Sequence, residues 1–324
     1  MRYAPLGPVG EVSRLTLGGG GLGQVWGETS QDEALAVIKA ALDAGITLID
    51  TAPMYGVCEE VIARAFSGSL PEGVRITTKC WLGEPPPGKA LERMEASLDA
   101  SLKAMRLDRV DVMILHNNLC EADSVLPRDQ DRRAQVATTW EAYVDEVIPA
   151  FEDLKRRGRI GAWGITGVGL PPTVLKALSH EARPAVVQAV ANLMDSPGAM
   201  RRYEGPAMPR RIIASARANG VGVMGIRAVQ AGALTGGIDR ALKETHPEAA
   251  DFRRAAPYRA LCAELGVDPA LLAHRYALDI AGVDTVVLGV KNRAELAQCL
   301  EAEALGPLPA DLRERIDGLG LRTP

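Results

Sequence analysis

Short runs of β-branched and aliphatic residues alternate along the chain with longer stretches whose apolar positions recur every three or four residues. The first run, Arg14-Leu15-Thr16-Leu17, is closed by four glycines, Gly18 to Gly21. Before it, Gly7-Pro8-Val9-Gly10 reads as the turn of a small hairpin. A helical pattern follows from Gln31 to Ala44, with Leu35, Ile38 and Leu42 on one face and Gly45 in the position of a C-terminal cap. Next come a strand at Thr47-Leu48-Ile49, a helix at Glu59 to Phe66 and a strand from Val74 to Thr78. A helix from Lys89 to Met105 leads into Val110 to Leu115, and one from Trp140 to Arg157 leads into Ile160 to Ile165. The last strands fall at Ala185-Val186-Val187, Val221 to Met224 and Thr285 to Leu288. Between the fourth barrel strand and its helix, Glu121 to Gln135 is polar and has neither period, which marks an insertion.

Strands alternating with helices imply parallel crossovers, and eight such strands imply a closed (β/α)8 TIM-type barrel with a short N-terminal β-hairpin. A doubly wound sheet is the competing architecture, but its glycine-rich turn runs straight into a helix. Here about ten residues separate Gly21 from the first helical pattern. With no linker or repeat in sight, the expectation is one domain over residues 1–324.

Composition narrows the function classes. Hydrophobic residues make up 47% and charged residues 24%, enough for a sizeable core. The net charge of −4 argues against nucleic acid or an anionic membrane as the main partner. Five dispersed cysteines form no CxxC pair, and the N-terminus lacks the apolar run of a signal peptide, so a reduced, cytoplasmic setting is expected. Four scattered histidines make a histidine-based metal site improbable, and no metal is expected.

Catalytic groups of such barrels stand at the carboxyl ends of the strands. Asp50 follows the second strand, Tyr55 comes five residues later, Lys79 follows the third strand and His116 the fourth. A free tyrosine titrates at about 10, and a nearby ammonium lowers that value. Lys79 is the ammonium, Asp50 the counter-charge that keeps it protonated, and His116 a donor to a substrate carbonyl. Polarised in this way, a carbonyl awaits a hydride, which only a cofactor supplies. Trp26, Trp81 and Asn117 follow the first, third and fourth strands and are expected to line the substrate pocket, with the insertion from Asn118 to Gln135 covering it. Only 13 aromatic residues are present, too few for a broad aromatic cleft. The glycine run fits either phosphate binding or close backbone packing, Cys80 reads as a packed thiol, and Arg128 to Arg133 as a solvated loop.

Asp50-Thr51-Ala52-Pro53-Met54-Tyr55-Gly56, Thr78-Lys79 and Leu115-His116-Asn117 together resemble the Asp-Tyr-Lys-His tetrad of the aldo-keto reductase superfamily. Leu6 to Gly18, Gly158 to Ile165, Gln188 with Asn192, Gly232 to Gly236 and Leu288 to Asn292 extend the likeness over nearly the whole chain. The resemblance implies carbonyl–alcohol interconversion with NADP(H) or NAD(H), Tyr55 acting as the proton donor. By the same likeness, Gly19, Gly20, Asp50, Thr166 and Gln188 stand beside the cofactor. So do Ile226, Arg227, Ala228, Gly232 and Leu234 after the seventh strand, and Gly289, Lys291, Arg293 and Gln298 after the eighth. Four places depart from the family pattern. Gly167 replaces an asparagine, Ile226 replaces a stacking aromatic residue, and Gln298-Cys299 replaces a Glu-Asn pair, with Glu295 where Arg or Gln is frequent. They leave open the choice between NADP(H) and NAD(H), and with it a second role, a nicotinamide-nucleotide-sensing regulatory subunit with little turnover.

Overall fold

The computed structural model describes residues 1–322 and contains the expected barrel. The strands are β1 (Tyr3–Pro5), β2 (Glu11–Ser13), β3 (Leu15–Gly18), β4 (Leu48–Asp50), β5 (Arg75–Cys80) and β6 (Val110–Leu115). They continue as β7 (Asn118–Cys120), β8 (Ala137–Thr139), β9 (Ile160–Thr166), β10 (Val186–Val190), β11 (Gly222–Ile226) and β12 (Thr285–Val287). Eight of them close in the order β3-β4-β5-β6-β9-β10-β11-β12, every pairing parallel.

The hairpin β1–β2 pairs antiparallel with Tyr3 opposite Ser13. Its Leu6 and Val12 pack with Leu48, Val112, Ile114, Val186 and Met224, so it stoppers the amino-terminal end of the barrel. Gly7 makes this possible: its φ is +49°, and a Cβ there would lie 2.6 Å from the Gly222 nitrogen. The larger core lies between the barrel and its helices.

Helix 31–43 shows how the sequence sets an element. Ser30 accepts a hydrogen bond from the Glu33 N–H at 3.1 Å, and Gly45 ends the helix at φ +86°. Its buried face is Ala34, Val37, Ile38 and Ala41; Leu35 and Leu42 flank that face and are only partly buried. The expected insertion is bracketed by the parallel pair β7–β8, a short two-stranded ladder outside the barrel. Among the described residues, no helix is long and apolar enough to cross a membrane.

Candidate functional site

Asp50 is the last residue of β4, and Lys79 is the fifth of the six in β5, inside the strand rather than beyond it. Alternation along β5 turns Thr77 and Lys79 to the same side. Both meet Asp50 inside the barrel mouth: Lys79 Nζ donates to Asp50 Oδ2 at 2.7 Å, and Thr77 Oγ1 to Oδ1 at 2.6 Å. Gln188 Nε2, from β10 across the barrel, donates to Oδ1 at 2.7 Å. Lys79 also donates to the Thr51 carbonyl at 2.9 Å and is fully buried. Its Nζ lies 4.5 Å from the centroid of the Tyr55 ring.

Tyr55 sits on the loop after β4, pinned by backbone contact with the glycine-rich loop after β3. A Cβ on Gly23 would lie 1.7 Å from the Tyr55 carbonyl oxygen, and one on Gly56, at φ +50°, 2.3 Å from the Gly23 oxygen. His116, just past β6, stands edge-on between the rings of Tyr55, at 6.0 Å, and Trp81, at 5.8 Å. The four tetrad residues thus converge on one point of the rim.

Their protonation follows from burial and neighbours. Burial alone would lower the Lys79 pKa, but Asp50 and Tyr55 outweigh it and hold the ammonium charged. Burial and the Lys79 charge push His116 down to about 3, so its imidazole is neutral near neutral pH. The expected lowering of Tyr55 does not occur. Burial raises it, the opposing pull of Lys79 is smaller, and the hydroxyl stays protonated well into the alkaline range. Cys80 is buried with its thiol pushed up to about 11, as a packed cysteine should be.

A cavity of about 540 Å³ runs from this point along the rim to the loop after β12. Asp50, Tyr55 and His116 wall one end, Lys291, Glu295 and Gln298 the other. Gly19, Gly20, Thr166, Gln188, Ile226, Arg227, Ala228, Gly232 and Gly289 line it as expected from the sequence, and so does Trp26. The glycine run satisfies both of its readings. Gly18, Gly19 and Gly20 line the cavity, while Cβ atoms on Gly18 and Gly21 would each come within 1.9 Å of a backbone oxygen, Leu288 and Val290 respectively. Thr166 donates its hydroxyl to the Leu115 carbonyl at 3.0 Å. Arg227, at φ +62°, is partly buried in the wall, where it is ion-paired with Glu248 and donates to Gln230 at 2.8 Å.

Four residues stand elsewhere than expected. Asn117 is buried, its Oδ1 accepting from the Leu82 and Gly83 N–H groups at 2.7 and 3.0 Å, so it ties loops together and does not line the cavity. Leu234 lies wholly in the core. Arg293 is exposed, away from the cavity, and forked onto Glu33, with Nη2 3.0 Å from its Oε2. Trp81 misses the cavity wall and touches it only through His116. No residue of the insertion lines the cavity either. Sequence reading missed Asp239, Arg240, Asp268 and His274, which do line it. They come from the segments between β11 and β12 that follow the Gly232 to Gly236 stretch.

The sequence pattern of the aldo/keto reductase family matches residues 14–320. The chain belongs to that family. Among curated members, this aldo-keto reductase is 26% identical to L-galactose dehydrogenase of Arabidopsis thaliana, over 91% of this chain and 87% of the relative. It is 27% identical to D-threo-aldose 1-dehydrogenase of a Pseudomonas species, over 93% and 92%. An aldo-keto reductase of Bacillus halodurans superposes with a TM-score of 0.71, at 22% identity, over 98% of this chain and 96% of that one, a likeness of fold. Among the described residues, no group of side chains is arranged to hold a metal ion.

Proposed function

We propose that this aldo-keto reductase is a nicotinamide-dependent oxidoreductase interconverting a carbonyl and its alcohol, with Tyr55 giving or taking the proton. The observation that carries the proposal is the buried Asp50–Lys79 pair beneath a protonated Tyr55 and a neutral His116, all at one end of a long cavity. The cavity suits a dinucleotide. Glycines line much of its wall, with Cβ atoms on Gly18, Gly19 and Gly20 excluded by Leu288, Cys58 and Trp26, and Arg227, Arg240 and Lys291, each paired with a carboxylate, stand along it. When bound there, a nicotinamide nucleotide supplies or accepts the hydride.

The side chains perform the rest. Neutral His116 donates an N–H to the substrate oxygen and orients it. Tyr55 hands its hydroxyl proton to that oxygen in reduction and recovers it in oxidation. Lys79, held charged by Asp50, stabilises the phenolate left behind and opposes part of the rise that burial imposes on Tyr55. Thr77 and Gln188 fix the Asp50 carboxylate so that it cannot swing toward the substrate. In this reading residues 1–324 act as one domain on a small-molecule substrate. Two relatives matching nine-tenths of the chain are dehydrogenases of aldoses by name, which makes aldoses the first substrates to assay.

The test is a nucleotide-linked assay of the purified protein in both directions with aldoses, simple aldehydes and ketones, and their alcohols. Repeated turnover with at least one of them, on the order of 1 per second or faster at saturation, is expected. Tight nucleotide binding with no turnover on any substrate would replace the enzyme with a nucleotide-sensing subunit.

A further inference from the structure

We infer that the end of the cavity remote from Tyr55 selects the nucleotide without a 2′-phosphate, NAD(H) over NADP(H). The inference rests on the reading of the cavity as a nicotinamide-nucleotide site. If the reactive ring lies beside Tyr55, the adenosine ribose has only the opposite end to occupy. Lys291 is the cation on that wall, and it is already engaged. Its ammonium is ion-paired with Asp239, from the segment after β11, and stands 3.6 Å from Glu295 Oε1. The Glu295 carboxylate is fixed in place, its Oε2 accepting from the Lys291 N–H at 2.8 Å and its Oε1 from Asn292 Nδ2 at 3.2 Å. Asp268, another wall residue, caps a helix through Oδ1, which accepts from the Ala270 N–H at 2.7 Å.

Two carboxylates therefore hold the ammonium at this end, and Asp268 adds a third on the same cavity wall. The other cations do not redress the balance. Arg293 is forked onto Glu33 outside the cavity. Arg240 lies over Trp26, 5.6 Å from the ring centroid, donates to the Ala231 carbonyl at 2.7 Å, and stands with Nη1 3.9 Å from Asp239 Oδ1, so it too is engaged and the carboxylates remain in excess. A phosphate on the ribose would bring about two negative charges against these carboxylates. A ribose diol instead offers hydroxyl donors, for which a carboxylate is the natural partner.

The experiment is calorimetric titration of the full chain with NADH and with NADPH at one ionic strength. NADH is expected to bind at least about tenfold more tightly. In Asp239→Asn/Glu295→Gln, and to a lesser degree in Glu295→Gln alone, Lys291 is released. There the NADPH-to-NADH affinity ratio should rise about tenfold. Equal or tighter binding of NADPH by the unaltered protein overturns the inference and leaves the oxidoreductase reading standing. An NADH preference that neither variant reduces overturns the assignment to these carboxylates. Binding of neither nucleotide overturns the oxidoreductase reading, and this inference with it.

Discussion

Asp50 is the residue on which the candidate chemistry converges, because it fixes the charge of Lys79 from a position almost closed to water. A buried ion pair contributes little net stability, yet loss of one partner typically costs about 3–5 kcal/mol. Its presence in a barrel mouth that apolar side chains could fill is therefore better explained by chemistry than by folding. His116 supplies a test of the electrostatics. Its folded pKa of about 3 lies below the unfolded value of about 6.5, so the unfolded chain binds more protons between these limits. The stability it permits is fully present above about pH 6.5 and is lost as pH falls toward 3. Denaturant unfolding at pH 7 and pH 4.5 should show a smaller acid loss for His116→Gln than for the unaltered protein; equal losses would mean that His116 is not held neutral. The tetrad was legible because four chemically suited residues recur at successive strand ends. The direction of the Tyr55 shift was not, since it depends on burial that the sequence does not show. Asn117 and Arg293 misled for a related reason. Their partners, Leu82 and Glu33, come from distant parts of the chain, in the second case 260 residues away.

At the scale of elements, the loops after β3, β4 and β12 meet backbone to backbone, and glycine is what lets them. At Gly21 the requirement is space rather than conformation, because its φ is not positive. Gly21→Ala would set a Cβ 1.9 Å from the Val290 carbonyl oxygen and must push the loop after β12 away. A loss of about 1–3 kcal/mol in denaturant unfolding is expected, with weaker nucleotide binding because Lys291 moves with that loop. Gly237→Ala, where a Cβ meets nothing within 4 Å, should be nearly neutral and serves as the control. If both variants unfold alike, the close packing assigned to the glycine run is wrong. Strand positions read well from β-branched runs, with no end displaced by more than three residues; Lys79 fell inside β5 because Thr78-Lys79-Cys80 breaks the apolar pattern but keeps the pairing with β6. The β7–β8 ladder could not be seen, as two strands of three residues carry no period.

For the whole molecule, barrel closure is what brings the tetrad together. Gln188 lies 138 residues from Asp50 in sequence, and only a closed sheet brings its amide to that carboxylate. The hairpin stoppers one end of the barrel, and the cavity lies at the opposite rim. Val25, Met54 and Trp81 are large apolar side chains left exposed around that rim, Val25 and Met54 on the cavity wall and Trp81 against His116. Alternating strands and helices made this architecture readable, whereas the reach of the segment after β11 across to Lys291 was not. The proton transfer proposed here belongs to Tyr55, with Lys79 and His116 supporting it. It is tested most directly by comparing Tyr55→Phe with the unaltered protein in two readouts, nucleotide affinity by calorimetry and kcat on a turned-over substrate. The account predicts unchanged affinity with kcat reduced by about a hundredfold or more. Retained kcat in Tyr55→Phe would contradict it.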